Sequence, residues 1–285
     1  MATFEDRWVT TGDGLKLYAR DYPNDSAPFT VLCLHGLTRN SADFEDLAQV
    51  LARHYRVVVM DQRGRGRSDN DPTPANYHLG TYVADTLTLL DALKVDDAAL
   101  IGTSMGGLMS MVLGSTAPQR FRGMVLNDIG PVVEAAGLER IRGYVGRGGS
   151  AAGWDEAVEQ IRANNAAAFP NLSDQEWLAF ARRLYRERSP GELEPAYDPA
   201  IAEPMNADTT AAVPGDLWEL FDTLADMPML VLRGELSDIL SAETVAEMAR
   251  RKPGLQYLEI PQRGHAPLLS EAPAVRGIED FLREL

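Results

Sequence analysis

The sequence contains one cysteine, Cys33, among its 285 residues, so it cannot build a framework of disulfides. It also lacks any apolar run of about 18 residues, the length that a helix needs to cross a bilayer. Its first residues include Glu5, Asp6 and Arg7, where a secretory signal needs a basic segment followed by an apolar one. We therefore expect no export, no membrane insertion and a cytoplasmic location.

Basic residues are scarce relative to acidic ones. The chain has 27 lysines and arginines against 42 aspartates and glutamates, which gives a formal net charge of −15. Such a charge repels polyanions, so we expect neither nucleic acid nor an anionic membrane as a partner. Hydrophobic residues make up 45% of the chain, enough to fill a sizeable globular core.

Histidine is also rare. Only four histidines are present, and no second histidine or cysteine lies at a metal-ligand spacing from His35. The sequence therefore predicts neither a metal nor another cofactor, and we expect a small-molecule substrate.

Short apolar runs alternate with segments of helical periodicity in the first half of the chain. The runs that end in turn residues are Thr30–Leu34, Arg56–Met60, Ala98–Ile101 and Gly123–Asn127, after a half-exposed strand at Leu15–Tyr22. The helical segments between them are Ala42–Arg53, Leu79–Leu93 and Ser104–Thr116. This alternation predicts a parallel sheet that is covered by helices on both faces.

After Pro131 the strand signal stops. Helices are predicted at Glu134–Val145, Trp154–Asn164 and Asp174–Arg188, followed by a proline-rich stretch that includes Pro190 and Pro214. The earlier pattern then returns with strands at Met229–Leu232 and Gln256–Ile260 and with helices at Ala242–Arg251 and from Glu271 onward. We predict an α/β core of residues 1–131 and 217–285, with a helical lid of residues 132–216 over one end of the sheet.

The segment Gly102-Thr103-Ser104-Met105-Gly106-Gly107 matches G-x-S-x-G and lies between a predicted strand and a predicted helix. Glycines bracket the serine because this turn is too tight for side chains at the flanking positions. The turn presents the serine hydroxyl at the carboxyl end of the sheet. We therefore predict that Ser104 is a nucleophile, although a serine at this place can also simply cap a helix.

A serine hydroxyl is a weak nucleophile at neutral pH, so it needs a base and a third group that orients the base. His265 follows the last predicted strand and is the predicted base, whereas His54 and His78 are expected at the surface. Asp238 follows the preceding strand and is the favoured acid. Asp128, which also ends a predicted strand, is the alternative acid.

When a serine attacks a carbonyl group, the carbonyl oxygen becomes an oxyanion, and two N–H groups are needed to stabilise its negative charge. The residue after the nucleophile, Met105, supplies one of them, and the loop after the strand Thr30–Leu34 supplies the other from Leu37. Gly36 lets this loop approach the substrate, and His35 is expected to hold the loop in place.

Four stretches resemble the α/β-hydrolase superfamily. They are His35-Gly36, Asp61-Gln62-Arg63-Gly64-Arg65-Gly66-Arg67-Ser68, the turn at Ser104, and Gly264-His265. The resemblance spans nearly the whole chain and is nearest to the esterase, enol-lactonase, meta-cleavage-product hydrolase and cofactor-free haloperoxidase branches. It implies a mostly parallel eight-stranded sheet with helices on both faces and an inserted lid. It also implies a metal-free acyl transfer or a related reaction.

The predicted function is a serine hydrolase that forms an acyl-enzyme with an ester, a lactone or another activated carbonyl of a small, largely apolar substrate. Hydrolysis of a C–C bond in a ring-cleavage product, on the same residues, is the alternative. A non-catalytic receptor on the same fold is a third possibility. A Rossmann oxidoreductase is a fourth, because Gly102 and Gly107 fit a dinucleotide motif, but Ser104 occupies its middle glycine position.

Two further groups of residues have both a functional and a structural interpretation. Four aromatic residues of the predicted lid are candidates for the wall of the substrate pocket, although they could simply pack the lid: Tyr144, Trp154, Phe169 and Trp177. Three arginines are expected to be exposed on a structural turn, since the sequence around them is not a P-loop: Arg63, Arg65 and Arg67. Cys33 lies inside an apolar strand and is expected in the core.

Overall fold

A computed structural model describes residues 2–206 and 217–285. It contains an eight-stranded sheet and a separate two-stranded hairpin. The strands, in chain order, are β1 (Glu5–Thr10), β2 (Lys16–Tyr22), β3 (Thr30–Leu34), β4 (Arg56–Met60), β5 (Ala98–Thr103), β6 (Phe121–Asn127), β7 (Tyr185–Ser189), β8 (Glu192–Pro195), β9 (Met229–Gly234) and β10 (Gln256–Ile260). The large sheet has the order β1-β2-β4-β3-β5-β6-β9-β10, and β7 pairs with β8.

In the large sheet only β2 runs opposite to the other strands, so the mostly parallel eight-stranded sheet is confirmed. The helices, in chain order, are α1 (Glu45–Leu51), α2 (Leu79–Ala92), α3 (Met105–Thr116), α4 (Ala135–Tyr144), α5 (Trp154–Asn165), α6 (Asp174–Leu184), α7 (Glu203–Asn206), α8 (Trp218–Asp222), α9 (Ala242–Arg251) and α10 (Ala272–Glu284). Across residues 2–206 and 217–285, no helix has the length and apolar character that a membrane crossing requires.

The core consists of two apolar layers, one on each face of the sheet. Consecutive side chains of a strand point to opposite faces, so Leu32 and Leu34 of β3 pack in one layer with α2 and α3. Val31 and Cys33 pack in the other layer with α1 and α10. Cys33 is fully buried, as expected of a core residue.

The chain between β6 and β9 leaves the sheet and includes α4, α5 and α6. The predicted helix Asp174–Arg188 is wrong at its end, because α6 stops at Leu184 and residues 185–195 form the β7–β8 hairpin. Gly191 turns this hairpin with a φ of +80°. Residues 207–216, including Pro214, lie outside the described residues, and the division into a core and a lid of residues 132–216 stays a prediction.

The prediction of exposed arginines after β4 is wrong for two of the three. Arg63 and Arg65 are almost completely buried, and only Arg67 is exposed, with half of its side chain accessible. Arg63 donates to the carboxylates of Asp71 at 2.5 Å and of Asp85 at 2.7 and 2.6 Å. Arg65 donates to the carbonyls of Leu37 and Arg63 at 2.8 Å and to the Tyr82 hydroxyl at 2.9 Å. Hydrogen bonds to both guanidinium groups compensate their burial, so this turn is a packed element rather than a solvated one.

Candidate active site

Ser104 lies in a sharp turn between β5 and α3, with φ 52° and ψ −115°. A Cβ atom at Gly102 would collide with the backbone of Gly106, and one at Gly106 would collide with the carbonyl of Leu34. Both positions therefore require glycine, which is the reason the sequence motif predicts this turn. The turn presents the Ser104 hydroxyl at the carboxyl end of the sheet.

His265 lies in the loop between β10 and α10 and contacts both Ser104 and Asp128. Its Nε2 is 2.8 Å from Ser104 Oγ, and its Nδ1 is 2.8 Å from Asp128 Oδ2. Because an ionised carboxylate can only accept, Nδ1 carries the proton and donates it to Asp128. Nε2 is then free to accept the hydroxyl proton of Ser104. This is the arrangement of a nucleophile, a base and an orienting acid.

The Asp128 carboxylate is fully buried and bonded on both oxygens. Its Oδ1 accepts from the backbone N–H of Gly234 at 2.7 Å, and its Oδ2 accepts from the Ser237 hydroxyl at 2.6 Å. The Ser237 oxygen in turn accepts from the N–H groups of Ile239 and Leu240 at 3.2 and 3.1 Å. These bonds fix the carboxylate and compensate the burial of its charge.

Asp238, the acid that the sequence favoured, does not accept a hydrogen bond from His265. It forms a bidentate ion pair with Arg140 of α4, with N···O distances of 2.5 and 2.8 Å. Burial raises the pKa of Asp238, but the hydrogen bonds and charge of Arg140 more than offset this and hold the pKa below its ordinary value. The prediction that Asp238 orients His265 is wrong. The loop after β9 places Ser237, not Asp238, beside the Asp128 carboxylate, and Asp128 is the residue that contacts His265.

The predicted oxyanion loop lies beside the nucleophile. A Cβ atom at Gly36 would lie 3.7 Å from the Cβ of Ser104. The Gly36 carbonyl accepts from His35 Nδ1 at 2.7 Å and from the N–H of Arg39 at 3.1 Å. The Gly36 carbonyl and the Leu37 N–H belong to one trans peptide and point in opposite directions. Because the carbonyl faces the buried His35 ring, the Leu37 N–H faces away from that ring. Met105 begins α3, whose first N–H groups have no acceptor within the helix.

His35 acts in this structure as a neutral buried support for the loop. Burial lowers its pKa to about 4. Its Nδ1–H donates to Gly36, and its Nε2 accepts from the backbone N–H of Gln62 at 3.0 Å. The expectation that His35 holds the oxyanion loop agrees with these contacts.

Asn127 is a site residue that the sequence analysis missed. Its fully buried side chain donates from Nδ2 to Thr103 Oγ1 at 3.0 Å and to the Pro267 carbonyl at 2.9 Å. Its backbone carbonyl also accepts from the Ser104 N–H at 3.0 Å. Asn127 thus ties together the segments that carry Ser104, Asp128 and His265. The sequence does contain a signal for this residue: a polar asparagine ends an apolar predicted strand, directly before Asp128.

Comparison with known proteins assigns the family. Residues 30–272 match a family model described as the alpha/beta hydrolase fold. The chain belongs to this family. It is 34% identical to a 3-hydroxybutyrate-oligomer hydrolase from Cupriavidus necator over 261 residues, 87% of this chain and 86% of the relative. It is 28% identical to a 2-(acetamidomethylene)succinate hydrolase from Mesorhizobium japonicum, over 82% of this chain and 81% of that protein.

Solved structures agree with this assignment. An alpha/beta hydrolase from Novosphingobium aromaticivorans superposes with a TM-score of 0.94, 44% identity and full coverage of both chains. The structure of E-2-(acetamidomethylene)succinate hydrolase superposes with a TM-score of 0.82 and 26% identity, over 98% of this chain and 99% of that one. This chain is therefore an enzyme, an α/β hydrolase, and the Rossmann alternative is wrong.

In this α/β hydrolase, two cavities meet at Ser104. One has a volume of about 140 Å³ and lies between the core and the excursion after β6, with a wall that includes His265 and many polar side chains. Its polar wall includes Arg39, Asp43, Tyr144, Asn164, Asn165 and Arg183. The other has a volume of about 70 Å³ and an almost wholly apolar wall, which includes Leu79, Met105, Leu108, Leu138, Ile201 and Ile239. A substrate at Ser104 can thus extend a polar arm one way and an apolar arm the other.

The four aromatic pocket candidates have different surroundings. Tyr144 lines the polar cavity. Trp177 and Phe169 are 3% and 2% exposed and pack against each other, with ring centroids 6.2 Å apart, in the apolar cluster formed by α5 and α6. Trp154 packs at the edge of that cluster beneath Arg182. Trp154, Phe169 and Trp177 line neither of these two cavities, which favours the packing role that the sequence also left open for them.

Within the described part of the chain, no group of three or more histidine, cysteine, aspartate or glutamate side chains could hold a metal ion.

Proposed function

We propose that this α/β hydrolase cleaves an ester by acyl transfer through Ser104. The observation that carries the proposal is the continuous chain of hydrogen bonds from Ser104 through His265 to Asp128, with both distances at 2.8 Å. Ser104 Oγ attacks the ester carbonyl while His265 Nε2 takes its proton, and Asp128 stabilises the imidazolium that forms. His265 then gives the proton to the leaving alkoxide.

The acyl-enzyme is hydrolysed by the reverse proton transfers. His265 takes a proton from water, the water oxygen attacks the acyl carbon, and the Ser104 oxygen leaves with the proton from Nε2. In both steps the amides of Leu37 and Met105 donate to the oxyanion. Removal of one such donor in a serine hydrolase typically lowers kcat by about 10²- to 10³-fold.

The proposed substrate class is an ester of a short hydroxy acid. The polar cavity favours a substrate with a polar arm over the largely apolar one expected from the sequence, and the smaller apolar cavity suits a short hydrocarbon arm. An oligomer of 3-hydroxybutyrate, the substrate in the name of the Cupriavidus necator relative, has both features, since it joins methyl-bearing units through esters and ends in polar groups.

The decisive experiment compares three substrate types on wild type and Ser104→Ala. They are p-nitrophenyl acetate, the 3-hydroxybutyrate dimer and a vinylogous diketone, with products separated by chromatography. We expect ester turnover that Ser104→Ala abolishes and a fluorophosphonate adduct on Ser104. Turnover of the diketone alone would support C–C bond hydrolysis instead. Labelling of Ser104 without turnover of any of the three substrates would contradict the proposed ester substrates.

A further inference from the structure

We propose that Arg39 binds a free carboxylate of the substrate, which makes the enzyme selective for esters that end in an acid. This inference rests on the proposed function. It names the arm of the substrate that the polar cavity holds and the residue that recognises it.

The position of Arg39 places it close to the reacting bond but not in contact with the triad. It follows the oxyanion loop by two residues, and its Cγ lies 3.4 Å from where a Cβ atom of Gly36 would be. Both Arg39 and Ser104 line the polar cavity. One substrate molecule in this cavity can therefore contact Arg39 at one end and place its carbonyl at Ser104.

The guanidinium of Arg39 is held rigidly by two neighbours. Its Nε and Nη2 donate to the two oxygens of Asp43 at 2.5 and 2.8 Å. Its Cζ lies 4.2 Å from the ring centre of Phe180 in α6. A guanidinium has five N–H donors, and Asp43 accepts from two of them. Nη1 has no acceptor within the described residues, so its donors remain for a ligand carboxylate, and the fixed guanidinium loses little entropy on binding it.

The charged side chains of the cavity wall are balanced by their partners, whereas the chain as a whole is strongly negative. The chain carries a net charge of −15. The charged residues that line the polar cavity are Arg39, Arg183 and Asp43. Arg183 is paired with Asp46, which is not among the lining residues. Arg39 is likewise paired with Asp43, so the cavity wall lacks the excess negative charge that repels an anionic substrate from the rest of the chain.

The competing explanation is that Arg39 only docks α6 onto the core through Phe180. The two explanations predict different kinetics. An arginine that docks α6 affects every substrate alike, whereas an arginine that binds a carboxylate affects only substrates that carry one. Because that carboxylate is remote from the scissile bond, its loss raises KM and leaves kcat little changed.

The test uses the 3-hydroxybutyrate dimer and its terminal carboxamide, which have the same ester bond and nearly the same shape but differ in charge. Released product is measured by chromatography for wild type, Arg39→Gln, Arg39→Lys and Arg183→Gln. Arg182→Gln is the matched control, because Arg182 is an exposed arginine of α6 that does not line the cavity. Melting temperatures show whether each variant is folded at the assay temperature.

We expect wild type to prefer the acid by about tenfold or more in kcat/KM, which is the effect of one charge-assisted hydrogen bond. Arg39→Gln should raise KM for the acid and leave KM for the carboxamide unchanged. Arg39→Lys should retain part of the preference for the acid, and Arg182→Gln should behave as wild type.

Equal rates on acid and carboxamide in wild type, including no cleavage of either, overturn the proposal. So does an equal loss on both substrates in Arg39→Gln, or a loss of preference in Arg183→Gln alone.

A different set of results would contradict the proposed ester hydrolysis itself rather than the role of Arg39. In that case wild type hydrolyses neither dimer nor p-nitrophenyl acetate, or Ser104→Ala retains the activity. Hydrolysis of p-nitrophenyl acetate that depends on Ser104, without a preference for the acid, rejects the role of Arg39 and leaves the ester hydrolase in place.

Discussion

Two aspartates follow neighbouring strands of the sheet, and their carboxylates have different partners. Asp128 comes directly after β6, meets His265 and is held by Gly234 and Ser237 of the adjacent strand end. Asp238 lies four residues beyond β9 and pairs with Arg140. A carboxylate already engaged in a bidentate ion pair has little capacity to orient an imidazole, so the structure favours Asp128 as the acid.

This difference predicts opposite effects of two matched substitutions. Asp128→Asn should lower kcat on p-nitrophenyl acetate by about 10⁴-fold, because the amide no longer fixes the tautomer of His265 or stabilises its imidazolium. Asp238→Asn breaks a half-exposed ion pair and should change the free energy of unfolding by at most about 1 kcal/mol, with activity largely kept. Steady-state kinetics and denaturant unfolding measure both. The reverse ranking of the two rates would return the acid to Asp238.

Asn127 gives a second prediction at this scale. Asn127→Leu keeps the side-chain volume but removes the donor to Thr103 and Pro267, so the His265 loop is no longer tied to the Ser104 turn. We expect kcat to fall by up to about 100-fold with little change in KM, since a small misplacement of reacting groups is costly.

The control for Asn127→Leu is Thr103→Val, which removes the acceptor at Thr103 and leaves the bond to Pro267. The rate of labelling of Ser104 by a fluorophosphonate should fall in parallel with kcat in Asn127→Leu. A lower melting temperature with unchanged labelling and kcat would show that Asn127 is only structural.

The sequence predicted the nucleophile, the base and the oxyanion loop at the positions where the structure brings these residues together. Their signals are local: a glycine-bracketed serine after a strand and a histidine after the last strand. The acid could not be chosen in the same way, because Asp128 and Asp238 both lie between Ser104 and His265 in the chain. Two contacts distinguish the aspartates: Arg140 pairs with Asp238, and Ser237 donates to Asp128. The partners are 98 and 109 residues apart in the chain, so they leave no local sequence pattern.

At the scale of elements, α5 and α6 form a small apolar core of their own. Trp177, Phe169 and Phe180 pack there with ring centroids 5.5 to 6.2 Å apart. This core is joined to the rest of the molecule by polar contacts, such as the bond from Asn40 Nδ2 to the Arg183 carbonyl at 2.7 Å and the ion pair of Arg183 with Asp46 at 2.6 Å. Leu268, in the loop that carries His265, also packs against it. The rings of Trp177, Phe169 and Phe180 line neither cavity at Ser104, so these three side chains stabilise the excursion without forming the cavity wall.

This separation predicts that Trp177→Ala and Tyr144→Ala have different phenotypes. Trp177→Ala opens a void in the apolar cluster and should cost about 3 to 5 kcal/mol of stability in this part of the molecule. Its relative rates on p-nitrophenyl esters of increasing chain length should stay as in wild type. Tyr144→Ala changes the cavity wall and should alter those relative rates. A changed preference in Trp177→Ala, at a temperature where it is folded, would make Trp177 a pocket residue after all.

The periodicity of the sequence located α4, α5 and the start of α6, but it extended α6 into β7. Residues 185–189, Tyr-Arg-Glu-Arg-Ser, are mostly good helix formers, and nothing local ends the helix before Pro190. Pairing with β8 ends it instead. That pairing depends on the turn at Gly191 and on the isolated bridge between Ala151 and Leu193, and neither is visible in a window of a few residues.

At the scale of the whole molecule, the central strands were predictable because both of their faces are buried. Every residue of β3 is buried, which produces the short apolar run that marks a parallel strand. Edge strand β1 was missed, since only Val9 of its six residues is buried and the segment reads as polar. The order of the strands in the sheet was not predicted from the sequence, because strand pairing is a property of the assembled core.

The stability of the whole fold should depend on pH through His35. Its pKa is about 4 in the folded protein and 6.5 in the unfolded chain, because burial disfavours the imidazolium. Below pH 6.5 the unfolded chain therefore binds a proton that the folded protein does not, and stability is lost as pH falls from 6.5 toward 4. This difference corresponds to roughly 3 kcal/mol.

Carboxylates also titrate at acidic pH, so the contribution of His35 must be isolated by comparison with a variant. His35→Asn keeps a donor that can reach the Gly36 carbonyl but does not titrate. Denaturant unfolding at pH 7, 6, 5 and 4 should show a steeper loss of stability in wild type than in His35→Asn, with the gap opening below pH 6.5. Parallel curves for the two proteins would mean that His35 is protonated in the folded state. In that case it could not accept the N–H of Gln62, and the oxyanion loop would have to be held by other contacts.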